Sequence, residues 1–173
     1  MATGRTVGKF SKFQINDAGT TELRDIPVTS YGSVGLTYAE QDVTALQDAI
    51  TSVFNGQGTF GVTITGPFDT TPVTSGSITT ERPRLSGSHT VLEPLNGGVT
   101  PKSFGIYLGI QGDWAAGDPV FGAVGSVLVS SYTVDPAAGT YSCKLVTAGN
   151  RLISDTTPDH DPHWGTAQID ATS

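Results

Sequence analysis

Val120-Phe121-Gly122-Ala123-Val124-Gly125-Ser126-Val127-Leu128-Val129-Ser130-Ser131-Tyr132-Thr133-Val134 runs into Asp135-Pro136-Ala137-Ala138-Gly139, and the chain then returns through Thr140-Tyr141-Ser142-Cys143-Lys144-Leu145-Val146-Thr147. The first run is apolar and β-branched, the middle is turn chemistry, and the return alternates apolar with polar residues. Side chains on a strand point alternately to opposite faces, so the return buries Tyr141, Cys143 and Leu145 together. A hairpin of this length predicts an antiparallel sheet, and the rest of the sequence agrees with it.

Outward from that hairpin, Lys102 to Ile110 alternates through Phe104, Ile106 and Leu108 and predicts a strand. Thr59 to Thr65 does the same with Phe60, Val62 and Ile64, and Gly66-Pro67 ends it. Near the start, Phe13-Gln14-Ile15 and Glu22 to Ile26 flank Asn16-Asp17-Ala18-Gly19, which predicts a second hairpin. Val34 to Tyr38 reads as another short strand. Two helices are expected. Val43, Leu46, Ile50, Val53 and Phe54 fall on one face of a 3.6-residue helix, with Asp42 as its N-cap and Asn55-Gly56 as its stop. Ser86 to Leu95 predicts a short helix, limited by Pro94 and broken at Asn96-Gly97-Gly98. The expected fold is mainly β: an antiparallel β-sandwich or barrel with one or two flanking α-helices.

The whole chain, 1–173, reads as a single domain, without internal repeat or linker. Met1 to Phe10 forms an N-terminal arm, Asp69 to Ser77 an irregular excursion, and Asp155 to Ser173 an irregular C-terminal tail. Charged residues make up only 14% of the chain, against a usual share of about a quarter. The net charge is −7, with nine Lys and Arg that do not cluster. Proteins that grip nucleic acid through its phosphates need clustered cations, so that class is disfavoured. Cys143 stands alone, which excludes an intramolecular disulfide, and its place in an alternating run predicts a packed thiol. Met1 to Phe10 has no apolar leader and no apolar run is long enough to span a bilayer. The expectation is a protein without membrane insertion, made in a cytoplasm and kept there unless it leaves as part of a particle.

No catalytic, cofactor-binding or metal-ligating residue is assigned, and no enzymatic activity or cofactor is expected. Asp155, Asp159, His160, Asp161 and His163 have the right donor atoms for a transition metal. They sit in a Pro-interrupted terminal segment, where a solvated tail or a segment docked on a neighbouring subunit is the simpler reading. His89 follows Ser86-Gly87-Ser88, but no G-x-S-x-G elbow accompanies it. Gly97-Gly98 lacks the Lys and helix of a phosphate loop. Glu40 with Asp42, and Asp159 with Asp161, are neighbours in sequence only. Trp114 and Trp164 have no basic neighbours to make a nucleic-acid platform; Trp114 either caps the core or enters a subunit contact.

In order along the chain, several segments resemble the bacteriophage major tail protein, or tail tube, family of the siphovirus type. Phe13-Gln14-Ile15-Asn16-Asp17 is followed by Leu23-Arg24-Asp25-Ile26, then Ser33-Val34-Gly35-Leu36 and Asp42-Val43-Thr44-Ala45-Leu46. Gly61-Val62-Thr63-Ile64-Thr65-Gly66-Pro67-Phe68-Asp69, His89-Thr90-Val91-Leu92 and Gly117-Asp118-Pro119-Val120-Phe121-Gly122 continue the series. The resemblance spans Lys9 to Gly149; Thr70 to Arg84 and the His-containing C-terminal segment have no counterpart in it.

The resemblance implies a structural virion protein of the tail, assembled in the host cytoplasm. Its copies would form six-fold rings that stack into a tube for DNA passage, the inner sheets joining around a lumen. Closing a ring pairs strand edges that are a liability in a monomer. The implied partners are further copies of the chain and the tape-measure, tail terminator and baseplate or tail-tip proteins. Genomic DNA would pass through without specific binding, and part of the negative charge is expected to face the channel. Met1 to Phe10 and Asp69 to Arg84 are the candidates for ring-to-ring contacts. The alternative is a capsid decoration or head-to-tail joining protein. A carbohydrate-binding or hydrolytic β domain would need a groove of aromatic or carboxylate residues that the sequence does not organise.

Overall fold

The computed structural model of the chain describes residues 11–19, 22–45, 50, 52–73, 86–108, 117–148 and 162–166. Ten strands follow in order: β1 (Ser11–Asn16), β2 (Leu23–Ile26), β3 (Ser30–Tyr31), β4 (Thr37–Asp42), β5 (Val53–Thr59), β6 (Gly61–Pro67), β7 (Lys102–Leu108), β8 (Val120–Asp135), β9 (Thr140–Thr147) and β10 (His163–Gly165). A helix, α1 (Ser88–Leu92), and a 3-10 turn, Glu93–Leu95, lie between β6 and β7. The main sheet has the order β2-β1-β7-β8-β9-β6-β3, with β10 added beside β8, and β4 pairs with β5 alone. All these strand pairs are antiparallel.

Three residues, Pro27, Val28 and Thr29, join β2 to β3, the two outermost strands of the main path. The four chain steps from Ile26 to Ser30 reach at most about 14 Å. Seven strands laid flat would hold their outer members about 29 Å apart at the usual strand spacing. The sheet must therefore curl until its edges approach, which makes it a barrel-like body. The Tyr141 hydroxyl holds the join by donating to the Pro27 carbonyl at 2.9 Å, and Thr29 N–H donates to Thr65 O at 2.8 Å. Segment 86–89 also bridges it: Ser86 N–H donates to Asp25 O at 2.9 Å, and His89 N–H to Asp69 O at 2.9 Å. Strand β8 serves both halves of the curl by bending at Gly125, whose φ of 58° suits a residue without a side chain.

The core fills the inside of this curl. Phe13, Ile15, Phe60, Val62, Ile64, Phe104, Ile106, Phe121, Tyr141, Cys143 and Leu145 enter from the strands, and Val91, Leu92 and Leu95 from the helical turn. Three rings meet at its centre: Phe60 lies 5.4 Å from Phe104 and 5.2 Å from Phe121. The alternations expected in β6 and β9 and the packed Cys143 are found, as are both hairpins and the short helix, whereas β7 is a strand as expected but is buried on both faces from Ser103 to Tyr107.

Three expectations need correction. The helix from Asp42 to Phe54 is replaced at both its ends by strand: Asp42 closes β4, and Val53, Phe54, Asn55 and Gly56 belong to β5. Val43, Ile50, Val53 and Phe54, spaced like a buried helical face, are 46%, 77%, 48% and 68% exposed. Without a surface to bury that face, strand propensity decides at Val53 and Phe54, both of which favour strand. Leu46 and residues 47–49 lie outside the described residues. The second correction concerns the C-terminal tail, where His163 to Gly165 form a strand paired with Val120 to Gly122. Trp164 anchors it, packing edge-on against Phe121 at 5.1 Å. The strand expected at Val34 to Tyr38 begins only at Thr37, after Gly35.

Candidate assembly surface

Strands β5 and β6 form one nearly continuous run with Phe60 at the junction. The β6 half is stitched into the main sheet and buries Val62 and Ile64, whereas the β5 half pairs only with β4. All six residues of β4 are exposed, and so are all of β5 but one. The hairpin therefore projects from the barrel at the Phe60 end. Seven strand residues span about 23 Å at the usual rise.

The register gives its two faces. Tyr38 pairs with Gly58 and Gln41 with Phe54, so these side chains share one face. A Cβ on Gly58 would come within 2.9 Å of the Tyr38 ring, and one on Gly56 within 3.1 Å of the Gln41 amide. The glycines thus let Tyr38 and Gln41 lie flat across the opposite strand. The other face carries Glu40 opposite Asn55 and Asp42 opposite Val53. Toward the tip, Val43 N–H donates to Ser52 O at 3.0 Å and Ser52 N–H to Thr44 Oγ1 at 2.9 Å. Asp42, expected as a helix cap, accepts from the Thr44 backbone at 2.8 Å and its hydroxyl at 2.5 Å. Those two bonds hold its carboxyl below the usual range.

Two-stranded hairpins are marginal on their own in water. This one exposes Tyr38, Val43, Ile50, Val53 and Phe54 on and beside the two strands, an apolar display of the kind that interaction surfaces carry. The root is rigid by contrast. Phe60 is fixed in the ring cluster, and Gly35, at the base of β4, faces the Trp164 indole nitrogen, 3.8 Å from where its Cβ would be.

The other expected positions fare differently. His163 lies on β10, half-buried, while Asp155, Asp159, His160 and Asp161 lie outside the described residues, as do Trp114 and the Met1 to Phe10 arm. Among the described residues no group of three or more His, Cys, Asp or Glu side chains could hold a metal ion. His89 packs between Phe68 and Tyr132, with ring centroids 5.1 and 5.8 Å away, and its Nδ1 lies 3.3 Å from the Tyr132 hydroxyl. Of the Asp69 to Arg84 excursion, residues 69–73 are described. Asp69 accepts from the Thr71 backbone at 2.8 Å, and its own N–H donates to Ser88 Oγ at 3.0 Å. The hairpin face was not visible from sequence as a surface, because its apolar spacing imitated a buried helix.

No helix among the described residues is long and apolar enough to cross a membrane. No family model matches the sequence, and no curated protein matches it. Solved structures do resemble it. A chain in the cryo-EM structure of the anti-feeding prophage baseplate, six-fold symmetrised, has a TM-score of 0.53 at 10% identity, covering 85% of this chain and 93% of that one. A chain of the anti-feeding prophage tube-terminating cap has a TM-score of 0.47 at 12% identity, with coverage of 85% and 90%. One in the extended sheath–tube complex of an extracellular contractile injection system has 0.46 at 12%, with coverage of 87% and 91%. The baseplate likeness shows a shared fold.

Proposed function

We propose that the chain is a self-assembling subunit of a phage tail tube, its copies forming six-fold rings that stack around a channel for DNA. The observation that carries this reading is the projecting β4–β5 hairpin, an element that is marginal alone and displays apolar side chains to solvent. A rigid barrel with one sticky, directed arm favours repeated head-to-tail contact between copies, the kind of contact that closes into rings. Two further supports are the ordered resemblance from Lys9 to Gly149 and the fold shared with a chain of a six-fold baseplate. Tape-measure, terminator and baseplate proteins would be the partners at the ends of the tube. The particle tail would be its place of action, and no catalytic step is required of it.

The test is light scattering on purified protein near neutral pH, followed by negative-stain imaging of the same fractions. Rings or hollow rods support the reading. A protein that stays monomeric with candidate initiator proteins present, and binds capsids instead, is a decoration or joining protein.

A further inference from the structure

Strands β8 and β9 run on past the core, and their last core-side residues lie at the mouth of the barrel. The register sets Tyr132 opposite Cys143 and Val134 opposite Tyr141, so the four share the core side of the sheet. Cys143 and Tyr141 are buried there, whereas Val134 is 36% exposed and Tyr132 half-buried. Phe68 follows β6 directly, and its N–H donates to Gly139 O in the β8–β9 turn at 2.9 Å. It is 39% exposed. His89 of α1 lies between these segments, its ring centroid 5.1 Å from that of Phe68 and 5.8 Å from that of Tyr132. The three rings form a strip. Tyr132 in turn stacks on Tyr141 at 5.9 Å, which ties the strip to the hydroxyl bond that closes the barrel.

Both ends of the strip carry a carboxylate. Glu93 follows His89 by one helical turn, its N–H donating to the His89 carbonyl, and its side chain is exposed. Burial first, then the charges of Cys143 and Glu93, raise the Tyr132 hydroxyl above its usual range, so the Glu93 carboxylate acts on that ring. On the Phe68 side, the Asp69 carbonyl accepts the His89 N–H at 2.9 Å, and two bonds from Thr71 hold the Asp69 carboxyl below the usual range. Residues 67–73, 86–95 and 132–141 include no Lys or Arg. The strip lies at the far end of β6 from the projecting hairpin, so the two displays are separate.

We infer that this strip is a docking surface for an arginine-bearing segment of a partner protein. Aromatic faces are electron-rich, and a guanidinium is flat, permanently charged and weakly hydrated. It therefore stacks on such faces while its N–H fork reaches carboxylates. Phe68, His89 and Tyr132 supply the faces, and Asp69 and Glu93 the acceptors. A lysine ammonium answers the charge alone, being compact and strongly hydrated. A saccharide would stack on the rings but brings no charge to meet the two carboxylates. The assignment goes beyond tube formation and stands independently of it.

The test titrates a blocked tetra-arginine peptide into the dilute full chain, with backbone amide shifts in NMR spectra locating the contact. The expected shifts are confined to Phe68, His89, Glu93 and their neighbours, and blocked tetra-lysine binds more weakly. Phe68→Ser and Glu93→Gln should each weaken binding about three- to tenfold. Glu40→Gln removes the same charge from the hairpin and should leave the affinity unchanged. All three of these side chains are exposed, and unchanged shifts in β6 and β9 show that the variants are folded. Equal affinity in all three variants means attraction by net charge alone and overturns the assignment, as does an absence of binding at millimolar peptide. Binding that emerges only in an Arg82→Gln, Arg84→Gln double variant gives the strip to the chain's own arginines. Binding of maltohexaose in preference to the peptide gives it to saccharides. Each of these last two results also overturns the inference.

Discussion

Arg24 is only 2% exposed, and its guanidinium is held by two carboxylates: Nε meets Asp17 Oδ2 at 2.8 Å and Nη2 meets Glu22 Oε2 at 2.7 Å. A buried cation that loses a partner retains its desolvation cost, so Asp17→Ala should remove about 3–5 kcal/mol of stability. The more exposed Lys12–Asp25 pair, at 3.3 Å, should matter by about 1 kcal/mol or less, so Lys12→Ala is the control. Urea unfolding of both variants checks the contrast. Burial also pushes the Cys143 thiol up to about 12, and the Tyr31 hydroxyl to about 12. A raised folded-state value means that the unfolded chain releases its protons first. Stability from these groups is therefore complete below the ordinary thiol value of about 8.5 and is lost as pH climbs toward 12. The unfolding midpoint should fall steadily across that window. Cys143→Ala should flatten its lower part, although its midpoint at neutral pH will also drop from the cavity. A pH series of urea titrations reads both effects.

At the scale of elements, the β5–β6 run separates a residue that holds the fold from one that faces solvent. Phe60 is 4% exposed in the three-ring cluster, so Phe60→Ala should cost about 3–5 kcal/mol. Phe54 is 68% exposed at the far end of the same run, so Phe54→Ser should change stability by no more than about 0.5 kcal/mol. Phe54→Ser should nonetheless weaken self-association, which sedimentation at several protein concentrations would show. These two residues also mark what the sequence could disclose. Alternation at Phe60, Val62 and Ile64 was legible because each of them buries against the chain's own core. The 3.6-residue spacing of Val43, Ile50, Val53 and Phe54 misled because periodicity arguments assume such a core, and these side chains face solvent. Strand β10 has three residues, too few for any pattern; its ties to the barrel, the pairing with β8 and the Trp164–Phe121 contact, cross the sequence.

For the whole molecule, closure of the barrel depends on contacts between distant segments. The Tyr141 hydroxyl reaches the Pro27 carbonyl across 114 residues of sequence. No local pattern announces such a bond, which is why individual strands were readable and their order was not. The covered outer side of β1 and β7 was hidden for the same reason, since Gln14 and Ser103 look solvent-facing in an alternating strand. What the assembled body displays, a projecting apolar hairpin and an aromatic strip at the barrel's mouth, follows only once the curl is known. The central claim is that this body builds a hollow tube, and averaged end-on electron-microscope projections of its assemblies test it most directly. Rings with six-fold symmetry and an empty centre are the predicted result. Solid or irregular aggregates, or a protein that forms no rings with initiator proteins supplied, would contradict it.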